Sequence, residues 1–293
     1  MKAADEWLKT VDTPPPVLMV VGPTAVGKSA FAMAVARAWS ASIISADAFQ
    51  VYRGLDIGTA KVPLLDRLDP PHYLIDHCEP TDSYTLADYV TACRGLLAQT
   101  HRPWVICGGT GLYAKAILYN YQLSPPSCHR EFLMARYQRE GLEPLWHQLL
   151  ALDPEVAHRI DAHNPRRVMR ALDVALQGHL SPRVMADASP RPDIRVVVLQ
   201  APLDVLHHRI DARVRTMLDR GLVDEVQGLI AAGVSPTGPS FQAIGYKETA
   251  QWLRDNMRSL HELESTLMSK TKQFAKRQRT WFNPLKWAEW VTV

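Results

Sequence analysis

Val17-Leu18-Met19-Val20-Val21-Gly22-Pro23-Thr24-Ala25-Val26-Gly27-Lys28-Ser29 is the stretch on which the fold turns. Its apolar run, closed by Gly-Pro, reads as a buried strand. Ser29 to Trp39 follows as an alanine-rich helix, with Phe31, Val35 and Ala38 at helical spacing. Between them, Gly22–Ser29 matches G-x-x-x-x-G-K-[ST]. A strand before it and a helix after it are the context that gives this pattern meaning. Such a loop curls its backbone N–H groups and the helix N-terminus around an anion. Lys28 adds a point charge, and the Ser29 hydroxyl is of the kind that ligates Mg²⁺. A phosphorylated ligand is implied. The loop alone does not distinguish ATP, hydrolysis or phosphoryl transfer.

Outward from this loop, Ile43-Ile44-Ser45, Trp104–Cys107 and Arg195–Gln200 read as further strands, separated by helical stretches. That alternation predicts an α/β fold, a P-loop NTPase-like doubly wound parallel sheet. The third strand ends in Gly108-Gly109-Thr110-Gly111, with no carboxylate where P-loop enzymes commonly hold a metal-supporting acid. The acid sits instead after the second strand, as Asp47, at the carboxyl edge of the sheet. There it suits a general base or a metal ligand, and the ordinary alternative is a helix N-cap. From about Tyr119 to Pro192 the alternation stops. Helical patterns at 130–140, 144–152 and 165–176 are bounded by Asp153-Pro154, Asn164-Pro165 and Gln177-Gly178. We therefore expect a core formed by 17–118 and 193–283, a helical insertion at 119–192, and loose termini at 1–16 and 284–293. A loop at 233–245 and a long basic helix near 265–282 complete the expected core.

The composition bounds the function. The chain has 293 residues, 47% of them hydrophobic and 22% charged, as in an ordinary globular protein. Four scattered cysteines (Cys78, Cys93, Cys107, Cys128) form neither a disulfide framework nor a zinc pattern. That predicts a reducing, cytoplasmic setting. The N-terminal residues lack a signal-peptide core, and no run suggests a membrane span. Net charge is only +3. Its distribution says more: residues 1–150 hold 13 basic and 14 acidic side chains, residues 151–293 hold 20 and 16. Any surface for a polyanion is expected mostly in the second half.

Several further segments recur in a familiar order: Ser45–Tyr52, Gly54–Lys61, Gly108–Tyr113, Met217–Glu225, Ile244–Glu248 and Ala275–Trp281. With the P-loop, they make the chain resemble the tRNA dimethylallyltransferase (MiaA-type isopentenyltransferase) family from about Val17 to Phe282. The resemblance implies transfer of the dimethylallyl group of dimethylallyl diphosphate to N6 of adenosine 37 of tRNA, beside the anticodon. It implies Mg²⁺, release of diphosphate and no consumption of ATP. It also assigns roles. Gly22, Pro23, Thr24, Ala25, Val26, Gly27, Lys28 and Ser29 would bind the diphosphate, with Ser29 on the metal. Asp47 matches the base, Thr110 a threonine near the bridging oxygen, and Arg213 an arginine on the diphosphate, with Arg209 as the fallback. Lys28 joins these as a catalytic cation.

The same resemblance puts tRNA contacts at Asp47, Ala48, Phe49 and Gln50, and at Arg166, Arg167, Val168, Met169 and Arg170. It adds Gln242, Ala243, Ile244, Gly245, Tyr246 and Lys247, then Lys276, Arg277 and Arg279. Lys272 lies at helical spacing from this last cluster, and no acid falls between Ser265 and Leu285. Basic clusters of this kind hold RNA phosphates, and an amine that must reach a buried diphosphate has to be turned out of its loop. Ala48 departs from the serine common in the family. A monomer is expected, with the anticodon stem-loop and the prenyl diphosphate as partners and no membrane. The competing readings are a small-molecule P-loop kinase, with the insertion as its lid, and an RNA-binding protein with a regulatory anion site.

Overall fold

The computed structural model describes residues 2–99, 103–123, 128–178, 189–255 and 259–293. Among these residues six strands form one sheet: β1 Val17–Val21, β2 Ser42–Ser45, β3 His72–Tyr73, β4 Trp104–Gly108, β5 Ile194–Gln200 and β6 Glu289–Thr292. Their order is β3-β2-β4-β1-β5-β6, and every pairing is parallel. The helices are α1 Lys2–Leu8, α2 Lys28–Ala38, α3 Leu86–Leu97, α4 Gly111–Leu118, α5 Arg130–Glu140, α6 Glu143–Leu152, α7 Pro154–Arg159 and α8 Pro165–Leu176. They continue as α9 Leu203–Asp219, α10 Leu222–Ala231, α11 Tyr246–Arg254 and α12 Leu260–Phe282. Among the described residues no helix is long and apolar enough to cross a membrane.

The registers decide where the site must be. Val21 pairs with Gly108 of β4 and with Val198 of β5, while Ser45 of β2 pairs with Cys107. The loops after β1, β2 and β4 therefore leave the sheet at one level, along its carboxyl edge, where open α/β sheets bind ligands. Parallel strands covered on both faces are apolar throughout. Every residue of β1 is at most 3% exposed, and α2 lays Phe31, Ala32, Val35 and Ala36 into the same core.

The chain forms two compact units, residues 1–120 with 190–293 and residues 121–189. The expected insertion began at 119 and ended at 192. Tyr119 and Asn120 instead close the last turn of α4, with the Tyr119 amide bonded to the Lys115 carbonyl. Arg191 and Asp193 pair with each other just ahead of β5. The smaller unit is helical in its described residues, and its positions 124–127 and 179–188 lie outside them. Leu133, Leu145, Leu149, Val168 and Leu172 form its core. Asp153 caps α7, its Oδ1 accepting from the Val156 amide at 3.1 Å, so the Asp-Pro boundary that follows α6 also begins a helix. Asn164 caps α8 in the same manner, at 3.3 Å from the Arg167 amide.

The termini, expected to be loose, are not. Trp7 of α1 is 6% exposed and packs against Phe31 and Trp39 at ring separations of 5.5 and 5.6 Å. Its Nε1 donates to Glu289 at 2.9 Å, and Glu289 also pairs with Arg195. Strand β6 adds to the sheet beside β5, from Val197 opposite Glu289 to Gln200 opposite Thr292. Both ends of the chain are thus held on one side of the sheet. Replacing Trp7 with Ala is expected to destabilise the fold by about 3 kcal/mol in chemical denaturation, the usual loss for a buried aromatic.

Candidate active site

A cavity of about 570 Å³ opens where the β1, β2 and β4 loops converge. Thr24, Ala25 and Gly27–Ser29 line it from the phosphate loop, Asp47–Gln50 from the β2 loop and Gly108–Leu112 from the β4 loop. Arg213, Met217, Ala243–Gly245, Phe274, Arg277, Gln278 and Trp281 are among the other residues of its wall. The larger unit alone encloses it.

The phosphate loop has the conformation its glycines permit. Gly22 has φ +147°, and a Cβ there would stand 2.5 Å from the Leu199 carbonyl oxygen. Gly27, at φ +99°, precedes α2 and provides no side-chain cap, so the first amides of that helix are open to an anion. Lys28 Nζ donates to the Pro23 carbonyl at 2.7 Å. Burial brings its ammonium down to about 8, because removing a cation from water disfavours the charged form. Cys107 lines the same wall. Burial pushes its thiol up to about 11, so it is no nucleophile at neutral pH.

Asp47 is fixed by its own loop. Oδ1 accepts from the Phe49 and Gln50 amides at 2.9 and 3.3 Å, so it caps a turn; no helix begins there. Gln50 is braced in turn, its Nε2 donating to the Thr59 carbonyl at 3.1 Å. Thr110 Oγ1 accepts from the Ala48 amide at 3.1 Å, which ties the β4 loop to the β2 loop. Because the acceptor site carries that bond, the hydroxyl hydrogen can point into the cavity. The bond uses the backbone of residue 48 and is the same whether Ala or Ser stands there. Arg213 lines the cavity, and burial lowers its pKa while nearby Asp47 opposes that shift. Arg209, one turn earlier, is exposed, so of the two it is Arg213 that lines the cavity.

The expected RNA contacts divide. Arg166 and Arg167 are exposed on α8, and Arg170 is ion-paired at 2.6 Å with buried Asp173. Val168 is wholly buried in the helical core and is corrected to packing, whereas half-buried Met169 packs against that core and also lines a pocket with Arg166. Lys276, Arg277 and Arg279 are exposed on α12, whereas Lys272 is paired with Asp211 at 2.7 Å. Gln242 and Lys247 are exposed, Ile244 is half-buried, and Ala243 and Gly245 are buried in the cavity wall. Tyr246 is a further correction. It is fully buried, its hydroxyl donating to Glu225 and accepting from the Gly58 amide at 3.1 Å. Glu225 also accepts from the amides of Asp56 and Ile57, at 3.2 and 2.9 Å. Tyr246 and Glu225 together brace the 54–61 loop from within.

Sequence reasoning missed one residue at the centre of the site. Gln278, 4% exposed on α12, accepts from the Thr24 amide at 2.7 Å and donates to the Gly109 carbonyl at 3.0 Å. The only signal for it was its place inside the Ala275–Trp281 segment.

The family described as IPP transferase matches residues 50–284, and the one described as isopentenyl transferase matches residues 15–68. A tRNA dimethylallyltransferase of Exiguobacterium sp. is 41% identical over 287 residues, covering 95% of this chain and 90% of that protein. One of Bacillus velezensis is 39% identical over 290 residues, covering 94% and 90%. Among solved structures, the full-length tRNA isopentenylpyrophosphate transferase from Bacillus halodurans superposes with TM-score 0.69 at 34% identity. It covers 94% of this chain and 89% of that one. A eukaryotic dimethylallyltransferase acting on tRNA, 24% identical, has TM-score 0.77 over 91% of this chain and 69% of its own; at that identity it bears on the fold alone. Spanning nearly the whole length of such relatives, with the P-loop, Asp47 and Thr110 drawn into one cavity, this chain belongs to the tRNA dimethylallyltransferase family.

Proposed function

We propose that this protein transfers the dimethylallyl group from dimethylallyl diphosphate to N6 of adenosine 37 in tRNA, releasing diphosphate. The observation that carries the proposal is the convergence of the phosphate loop, Asp47, Thr110 and Arg213 on one cavity. The exocyclic amine of adenine is a weak nucleophile, its lone pair being shared with the ring. As its nitrogen bonds to the dimethylallyl C1, the C1–O bond to diphosphate breaks and a proton on N6 must leave. Asp47 accepts that proton. Its Oδ1 is already held by two amides, which aims the carboxylate before substrate arrives. The leaving diphosphate gains charge, and the α2 amides, Lys28, the Thr110 hydroxyl and Arg213 are the fixed donors for it.

Mg²⁺ fits this site in one particular way. Among the described residues no cluster of three His, Cys, Asp or Glu side chains exists to hold a metal, while Ser29 lines the cavity at the end of the phosphate loop. Mg²⁺ usually keeps water and substrate phosphate oxygens in its shell, so the Ser29 hydroxyl is the protein ligand we assign to it. When bound, it would neutralise charge on the diphosphate.

Exposed Arg166, Arg167, Lys276, Arg277 and Arg279 are the tRNA phosphate contacts in this reading, with salt-sensitive affinity. The kinase alternative draws no support from the relatives named above, whose names are those of prenyl transferases. The test is incubation with labelled dimethylallyl diphosphate, Mg²⁺ and unmodified tRNA. Label in the tRNA supports the proposal; transfer of the ATP γ-phosphate to a small molecule instead would overturn it.

A further inference from the structure

The phosphate loop and the Gly108–Gly111 loop leave adjacent strands, and their functional groups must meet across one ligand. Neither loop reaches the other directly through a side chain that would fix their spacing. Gln278 does so from a third element. Its amide oxygen takes the Thr24 amide at 2.7 Å and its amide nitrogen gives a hydrogen bond to the Gly109 carbonyl at 3.0 Å. A donor and an acceptor on one planar group are what this bridge needs, and the Gln side-chain amide carries both. Asn is one methylene shorter. The contact is tight: a Cβ on Gly109 would lie 2.1 Å from the Gln278 nitrogen and 3.6 Å from Lys28 Nζ. Glycine at 109 thus lets the amide in, and Lys28 sits at the same seam. On either side of Gln278 in sequence, Arg277 and Arg279 are exposed, so the buried amide is not itself part of the basic surface.

We propose that Gln278 is a positioning residue for the transfer reaction. It sets the spacing of the phosphate loop and the Thr110 loop, so that Lys28 and Thr110 close on the same diphosphate. The proposal rests on the prenyl-transfer reading and adds a residue that acts on the donor through two loops, without touching RNA.

The test compares the wild type with Q278A and the neutral Q278M, which keeps the length of the side chain and loses both hydrogen bonds. Calorimetry with inorganic diphosphate and Mg²⁺, in the absence of RNA, reads the spacing independently of turnover. Q278A is expected to weaken diphosphate binding and raise KM for dimethylallyl diphosphate by about tenfold, the effect of losing two modest hydrogen bonds. KM for tRNA should stay within twofold of wild type, and Q278M should match Q278A. Diphosphate affinity within twofold of wild type in both variants, or a loss confined to tRNA affinity, would overturn the proposal. Should Q278A fail to fold, Q278M decides by the same criterion. A wild-type protein that binds diphosphate yet leaves tRNA unlabelled would strike the prenyl-transfer reading and leave the bridge standing.

Discussion

Asp47→Asn is expected to lower kcat by roughly 10²–10⁴-fold, the range for removing a general base, with diphosphate binding unchanged. Asn is the informative substitution because its side-chain oxygen can still accept from the Phe49 and Gln50 amides. The turn therefore survives and only the proton acceptor is lost. Ala would remove both, confounding chemistry with loop order. Single-turnover kinetics at saturating donor isolate the step, and calorimetry with inorganic diphosphate verifies that the anion site is intact. A residual rate near wild type would assign Asp47 to loop structure and leave the reaction without its base.

Lys28→Met is the second large effect. Loss of one fixed cation on the leaving group is expected to cost about 10²–10³-fold in kcat/KM. Stability should move little or upward, because in the free protein burial works against the Lys28 charge. Activity and thermal stability thus separate in this variant, which a merely structural lysine would not allow. The same burial predicts a pH dependence. With its ammonium brought down to about 8 in the free protein, Lys28 loses its proton as pH rises through that value. A bound polyanion favours the protonated form and raises its pKa. Diphosphate binding should therefore take up a proton above pH 8 and weaken as pH rises further, with no uptake at Lys28 well below it. Calorimetry in buffers of different ionisation enthalpy measures the uptake directly, and Lys28→Met should abolish it.

The core of this fold was legible because its strands are short buried runs, each closed by a polar loop. Val17–Val21, Ile43–Ser45, Trp104–Cys107 and Arg195–Gln200 all fall within observed strands. The edge strands were not legible. His72–Tyr73 is two residues long, and Glu289–Thr292 carries no residue that is buried. Its place depends on Trp7 and Arg195, far away in sequence, and so does the ordering of both termini. Lys28 and Asp47 could be found because each is reached by a short loop leaving a strand, and parallel register carries those loops to one edge; Thr110 was assigned by the family resemblance. Arg213 needed the family pattern, since spacing alone left Arg209 open and only burial separates them. Val168 and Tyr246 were misjudged for a common reason. A motif carried over as a block ignores that successive helix residues face different sides, and these two face inward. Gln278 could not be found from local sequence at all. Its partners lie 254 and 169 residues away, and its role exists only once three elements meet.

The most direct measurement uses two tRNAs that differ only at position 37, one with adenosine and one with guanosine. Each is incubated with the protein, Mg²⁺ and dimethylallyl diphosphate, then digested to nucleosides and analysed by mass spectrometry. The account predicts one dimethylallyl unit on N6 of adenosine 37, diphosphate released in equal amount, and no modified nucleoside from the guanosine tRNA. Folded protein that binds diphosphate and yields no prenylated adenosine, or that modifies both tRNAs alike, would contradict it.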